Sequence, residues 1–231
     1  MTVQPKYHWP FTEGQGATET DTVSGVKATL AGTTFGGHGR IGNAIKINGK
    51  AAGLPGLSLG NEPGRFHPHD FTVAFGMKVL DTFGQTNFNV IGNRGMMGHG
   101  NGFSIRLEND RRLTFEVDGD AKGKDYAVVT ANRALTLGKW HHVAAVREGL
   151  SLKLYLDGEL AGECLSKTGI AFINPTTLLR LGASPVRKTP VVEYEDLRLY
   201  HQKALNATEV SELVPPVNRP LRAGHRARRQ R

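Results

Sequence analysis

In Phe71-Thr72-Val73-Ala74-Phe75-Gly76-Met77-Lys78-Val79 the large apolar side chains fall on every second position. That spacing puts them on one side of an extended chain, so it dictates a strand with one buried face rather than a helix. Phe103, Ile105 and Leu107 alternate in the same way, as do Leu113, Phe115 and Val117. The polar Glu108-Asn109-Asp110-Arg111 between those two runs reads as a hairpin loop. Trp140, His142, Ala144 and Val146 alternate with His141, Val143 and Ala145. Both sides of that strand are fairly apolar, which predicts a central position. Trp140 is expected in the core, where its replacement by alanine would cost ~3–5 kcal/mol. Leu152, Leu154 and Leu156 lead into Asp157-Gly158, the pair favoured by a primed two-residue turn. Further strands are predicted at 44–47, 90–92, 127–130, 178–181 and 191–200.

One helix interrupts this pattern late in the chain. Asn206 is a good N-cap with Glu209 three places on, and Val210, Leu213 and Val214 give one apolar side before Pro215. Roughly a dozen short strands and one short helix predict an all-β, two-sheet antiparallel β-sandwich over residues 1–214. With 39% hydrophobic and 22% charged residues, neither a disordered nor a membrane class is indicated. No apolar run reaches the ~18 residues of a transmembrane helix. The amino terminus lacks a basic segment followed by an apolar stretch, so no signal peptide is read there. The lone Cys164 cannot form an internal disulfide and reads as a small hydrophobe on a strand.

The net charge of +8 is unevenly placed. Residues 215–231 hold six arginines and no acid, which leaves 23 basic against 21 acidic residues in the body. This Arg/Pro-rich tail has too little apolar surface to order itself, so it is expected to be flexible and removable without unfolding the body. Arg222, Arg226, Arg228, Arg229 and Arg231 are its candidate polyanion contacts, against the simpler reading of a solvated end.

Several segments in order resemble the laminin-G-like, concanavalin A-like lectin/glucanase superfamily of jelly rolls. They are Trp9-Pro10-Phe11-Thr12-Glu13-Gly14-Gln15-Gly16 with Asp21, and Gly42-Asn43-Ala44-Ile45-Lys46-Ile47-Asn48-Gly49. The pair Gly138-Lys139-Trp140-His141-His142-Val143-Ala144 and Leu154-Tyr155-Leu156-Asp157-Gly158 follows, and Glu195-Asp196-Leu197-Arg198-Leu199-Tyr200 closes the set. The resemblance implies a jelly-roll fold and raises the expectation of glycan or protein binding, without deciding it.

Four groups of residues are weighed for chemistry. Related glycosidases carry acids at alternate positions of one strand, and Glu116-Val117-Asp118-Gly119-Asp120 has that form. Gly119 and the residues after it look like a turn, so no catalytic residue is assigned. Glu195 is the candidate metal ligand. By simple alternation it shares a face with Leu197 and Leu199, where a carboxylate must be paired or coordinated. The resemblance implies calcium here, since some members use an aspartate at this position beside backbone carbonyls. The alternative is a salt bridge or hydrogen bonds to loop backbone. His67 and His69 lack a further marked ligand, and the adjacent His141 and His142 point to opposite faces, so neither pair is read as a metal site. The Gly-rich loop 92–102 supplies the candidate ligand contacts Asn93, Arg94, Met96, Met97, His99 and Asn101, against the simpler reading of a mobile hairpin connection.

The leading expectation is a non-catalytic recognition module, extracellular or particle-associated, that meets a glycan or protein surface through loops at one edge. The alternative is a structural or decoration subunit that self-assembles into a larger particle, such as a virion, anchored by the basic tail. A glycoside hydrolase stands third.

Overall fold

The computed structural model describes residues 3–31, 33–47, 56–82, 88–94, 100–119, 124–167, 173–182 and 190–216. Met96, Met97, His99, Asp120 and the tail arginines Arg222, Arg226, Arg228, Arg229 and Arg231 lie outside the described residues. The strands, numbered in chain order, form two antiparallel sheets. The first holds β1 (Tyr7–Trp9), β4 (Thr33–His38), β5 (Asn43–Ile47), β7 (Phe71–Asp81), β12 (Trp140–Glu148), β13 (Ser151–Leu156), β14 (Glu159–Leu165) and β16 (Val191–His201). The second holds β2 (Thr18–Thr20), β3 (Lys27–Ala31), β6 (Gly56–Gly60), β8 (Phe88–Gly92), β9 (Gly102–Leu107), β10 (Arg112–Asp118), β11 (Tyr126–Ala134) and β15 (Leu179–Leu181). The first runs β14-β13-β12-β7-β16-β5-β4, with β1 beside β16, and the second runs β11-β10-β9-β8-β15-β6-β3-β2. This is the expected two-sheet jelly roll.

The core lies between the sheets. Phe71, Val73, Phe75, Met77 and Val79 of β7 all enter it, as do Phe103, Ile105, Phe115 and Val117 from the facing sheet. Phe66 stacks on Phe71 at 3.9 Å between ring centroids and so ties a loop to this layer. The partly buried Cys164 packs against the core from β14. The hairpin between β13 and β14 turns through Asp157 and Gly158, with φ of +54° and +85°, as a primed turn requires.

The helix α1 (Ala207–Glu212) starts as its sequence predicts. Glu209 N donates to Asn206 Oδ1 at 2.9 Å, and Asn206 N donates to Glu209 Oε2 at 2.8 Å. Val210 and Leu213, with Leu205, cover the outer side of the first sheet at Ala74, Ala144, Val146, Tyr155 and Tyr200. This lid explains why β12 is apolar on both faces. Its inward residues are Val143 and Ala145, and on the outward side Ala144 and Val146 meet the helix.

Two expectations fail for reasons of orientation. Trp140 shares its side of β12 with His142 and Ala144, which is the outward side, and it is only partly buried. Lys78 Nζ lies 5.0 Å and Arg40 Cζ 5.8 Å from the centre of its ring. The second failure concerns β16. Its pairing with β7 shifts between Glu195 and Arg198, where three steps along β16 match two along β7. Asp196 takes φ +54° at this bulge. The extra residue reverses the alternation, so Val192 and Tyr194 point inward before it and Leu197 and Leu199 after it. Glu195 therefore does not share a face with the leucines. It points outward, beside Gly76 of β7.

Candidate functional site

The outward side of β9, β10 and β11 concentrates polar side chains over a sheet whose other side is core. Ser104, Glu116 and Val128 stand in one row across these strands, Arg106, Thr114 and Thr130 in the next, and Asp118 and Tyr126 beyond them. Glu116 is the hub. Ser104 Oγ donates to it at 3.1 Å, Tyr126 Oη at 2.9 Å, and Arg94 Nη2 lies 3.0 Å away. The Arg106 guanidinium also reaches Glu116. Arg94 extends over both carboxylates, with Nη1 3.6 Å from Asp118, and its Cζ lies 5.9 Å from the centre of the Tyr126 ring. Gly100 N donates to Asp118 at 3.1 Å. Burial first, and then the Glu116 charge, push the Tyr126 phenol up to about 12, so it stays a hydrogen-bond donor at any ordinary pH. A shallow depression of about 410 Å³ opens beside the hub, between Arg106, Glu108, Arg112, Tyr126 and Val128.

Glu116 and Asp118 thus share a face, as alternation predicts, but Arg94 bridges them. β10 ends at Asp118, and Gly119 N donates to Asp125 O at 2.8 Å as the chain turns toward β11. What the arrangement offers is a fixed set of donors and acceptors around an aromatic ring.

The loop residues divide. Arg94 belongs to the hub, and Asn101 borders it: its amide donates to Gly119 O at 2.8 Å and accepts from Asn174 N at 2.7 Å. Asn93 does not reach outward. It is 2% exposed, donates to Gly64 O at 2.9 Å and accepts from Phe103 N at 3.1 Å. A loop carbonyl and a strand amide would otherwise lose partners, so the asparagine is held inside as a structural bond. The roles of Arg106 and Tyr126 were missed because each sits singly in an ordinary strand pattern. The only available clue was their parity with Glu116 on neighbouring strands.

Glu195 is fully buried, and its partner is a cation from the chain itself. Arg40 Nε lies 2.7 Å from Oε1, and Arg40 N donates to Oε2 at 2.5 Å. A side chain on Gly39 or Gly76 would collide with this carboxylate, so both glycines make room for the pair. Among the described residues, no three His, Cys, Asp or Glu side chains converge to hold a metal ion. None of the described helices is long and apolar enough to cross a membrane.

A sequence profile of the concanavalin A-like lectin/glucanases superfamily matches residues 53–211. The chain belongs to that superfamily. No curated protein sequence matches it. Solved structures share the superfamily fold at low identity. The binding domain of Paraclostridial mosquitocidal protein 1 superposes with a TM-score of 0.72 and 18% identity, over 91% of this chain and 52% of that one. The chain therefore spans about half the length of that toxin domain. Domain 4 of an extracellular arabinanase from Geobacillus stearothermophilus, solved with arabinotriose, gives 0.69 and 16% identity, over 93% of this chain and all of that one. A Trypanosoma rangeli sialidase gives 0.62 and 15% identity, over 93% of this chain and 33% of that one. The fold is thus shared by a toxin binding domain, one domain of an arabinanase and part of a sialidase.

Proposed function

We propose that this superfamily member is a non-catalytic recognition module that binds a neutral or weakly charged glycan on the outward side of β9–β11, with Arg94 and Asn101 at its border. One observation carries the reading: Arg94, Arg106, Glu116, Asp118 and Tyr126 form a connected polar network beside an open depression. Sugar hydroxyls both donate and accept, so they suit a site that mixes carboxylates, guanidinia and a phenol around an aromatic face. A protein surface would be better served by a dry apolar centre than by this charged one. The bridging of Glu116 and Asp118 by Arg94 favours recognition over hydrolysis, which needs one carboxyl group free to give a proton and one free to attack. The same reading is supported by the toxin binding domain and the arabinanase domain solved with arabinotriose, which share this fold.

The test is a glycan array with and without calcium, followed by calorimetry on the best hit with Tyr126→Ala. Loss of stacking and of one hydrogen bond should weaken binding about tenfold or more, with the melting temperature held within a few degrees. Unchanged affinity in a folded Tyr126→Ala protein would move the site elsewhere. Release of reducing sugar from the hit, abolished by Glu116→Gln, would replace recognition with hydrolysis.

A further inference from the structure

A second, more enclosed cavity lies away from this face. Its walls come from the segment entering β1, from the 3-10 turn Glu62–Gly64 with the residues after it, and from the end of β16. Its volume is about 280 Å³, enough for a body of single-sugar size and too small for an extended chain. The back is aromatic: the His201 ring meets Phe66 at 4.6 Å and the Tyr7 ring edge-on at 5.5 Å. His201 Nε2 donates to Pro63 O at 3.0 Å, which fixes the ring, and burial holds its pKa down to about 4. The wall is therefore uncharged near neutral pH.

The rim is different in kind. Lys6, Arg65, His67 and His69 line it against one acid, the largely exposed Glu62, whose Oε1 lies 2.6 Å from Arg65 Nη1. The charge balance is positive even with both histidines neutral. Arg65 Nε is buried and has no hydrogen-bond partner among the described residues, although a buried donor of this kind is normally satisfied. Two non-glycine residues on the lip take left-handed backbone, His67 at φ +53° and Gln202 at φ +57°. Such conformations are unfavourable and tend to collect where a ligand is held.

We propose that this cavity is an anion-binding subsite for one small oxyanion-bearing ring, a carboxylate or a sulfate ester on a monosaccharide-sized body. Arg65 and Lys6 take the oxyanion, since a guanidinium can give two N–H bonds to a pair of oxygens of either group. Tyr7, Phe66 and His201 take the apolar side of the ring. The subsite is separate from the β9–β11 face and does not depend on it.

The experiment is an NMR titration of the full chain at low salt with D-glucuronate, glucose 6-sulfate, inorganic sulfate and D-glucose. Saturable shifts at the amides of Arg65, Phe66, His67 and Gln202 are expected with the acidic sugars and absent with D-glucose. The tighter of the two acidic sugars identifies the oxyanion. Arg65→Gln should weaken that binding about tenfold, and Lys6→Ala, at an exposed position, should weaken it in the same direction if Arg65→Gln does not fold. Tyr126→Ala should leave it unchanged, which separates this subsite from the proposed glycan face. Three results overturn the proposal: no saturable shift, equal titration of the folded Arg65→Gln protein, or inorganic sulfate matching both acidic sugars, which is an adventitious ion only.

Discussion

Arg40→Met should be among the most damaging single changes on the first sheet, because it leaves a carboxylate without its counter-charge. Glu195 is 0% exposed, and the Arg40 side chain that pairs with it is 19% exposed, so solvent relieves little of the loss. Charge centres ~4 Å apart attract by ~4 kcal/mol at an effective dielectric of ~20. Breaking a buried pair from one side costs ~3–5 kcal/mol, since the remaining charge keeps its desolvation penalty. The Arg40 backbone N–H remains as one donor to Oε2, which favours the lower half of that range. For a chain of this size each kcal/mol moves the melting temperature by ~2–4 °C, so a fall of roughly 6–16 °C is expected. Glu195→Gln on top of Arg40→Met removes the stranded charge and should restore part of the loss. Urea melts of the parent, the single variants and the double variant give the stabilities directly. A single-variant loss below about 1 kcal/mol, or a double variant no better than Arg40→Met, would refute the reasoning. A calcium titration of the parent adds a separate check. Arg40 already donates to each of the two carboxylate oxygens, so the melting temperature is expected not to change, and a rise that saturates with calcium would show the carboxylate serving the ion instead.

Three further outcomes follow from named contacts. Trp9→Ala, at a fully buried ring, should cost ~3–5 kcal/mol, whereas Trp140→Ala on the outer side should cost ~1–2 kcal/mol, mainly packing against Lys78 and Arg40; equal losses in denaturant would contradict the orientation of Trp140. Burial, with Arg40 nearby, lowers His142 from 6.5 to about 4, so the unfolded chain binds a proton there that the folded chain does not. Stability should therefore fall by ~3 kcal/mol through this group as pH drops from 6.5 toward 4. His201 adds to the same slope, and His142→Leu should reduce but not abolish it; an unchanged slope would remove the assignment. Gly92→Ala would place a methyl group 2.5 Å from Phe103 O and 2.8 Å from Ser104 Cα. Those are backbone atoms of the neighbouring strand and cannot rotate away, so a loss of ~3 kcal/mol or more is expected on denaturant unfolding.

The alternating runs of β7, β9, β10 and β13, the turn at Asp157-Gly158 and the Asn206–Glu209 cap are local matters. Each depends on side-chain parity or on backbone preference within a few residues, so the sequence alone determines them. The superfamily was legible for the same reason, through short segments kept in order. Parity says which residues share a side, but it does not say which side is inward when both are apolar. For β12 that choice was made by α1, which covers the Ala144 side and leaves Trp140 at the uncovered end. Parity also assumes an unbroken pleat. The bulge at Asp196 breaks it, because β5 and β1 flank successive halves of β16 and the strand has to adjust between them. Arg40 meets Glu195, and Arg94 meets Glu116 and Asp118, only once distant strands are in register. Asn93 turns inward because Gly64, far away in sequence, leaves space and a carbonyl for it. Pairing of charges across the chain is a long-range property, and only the closed sandwich decides which of them face a ligand and which face each other.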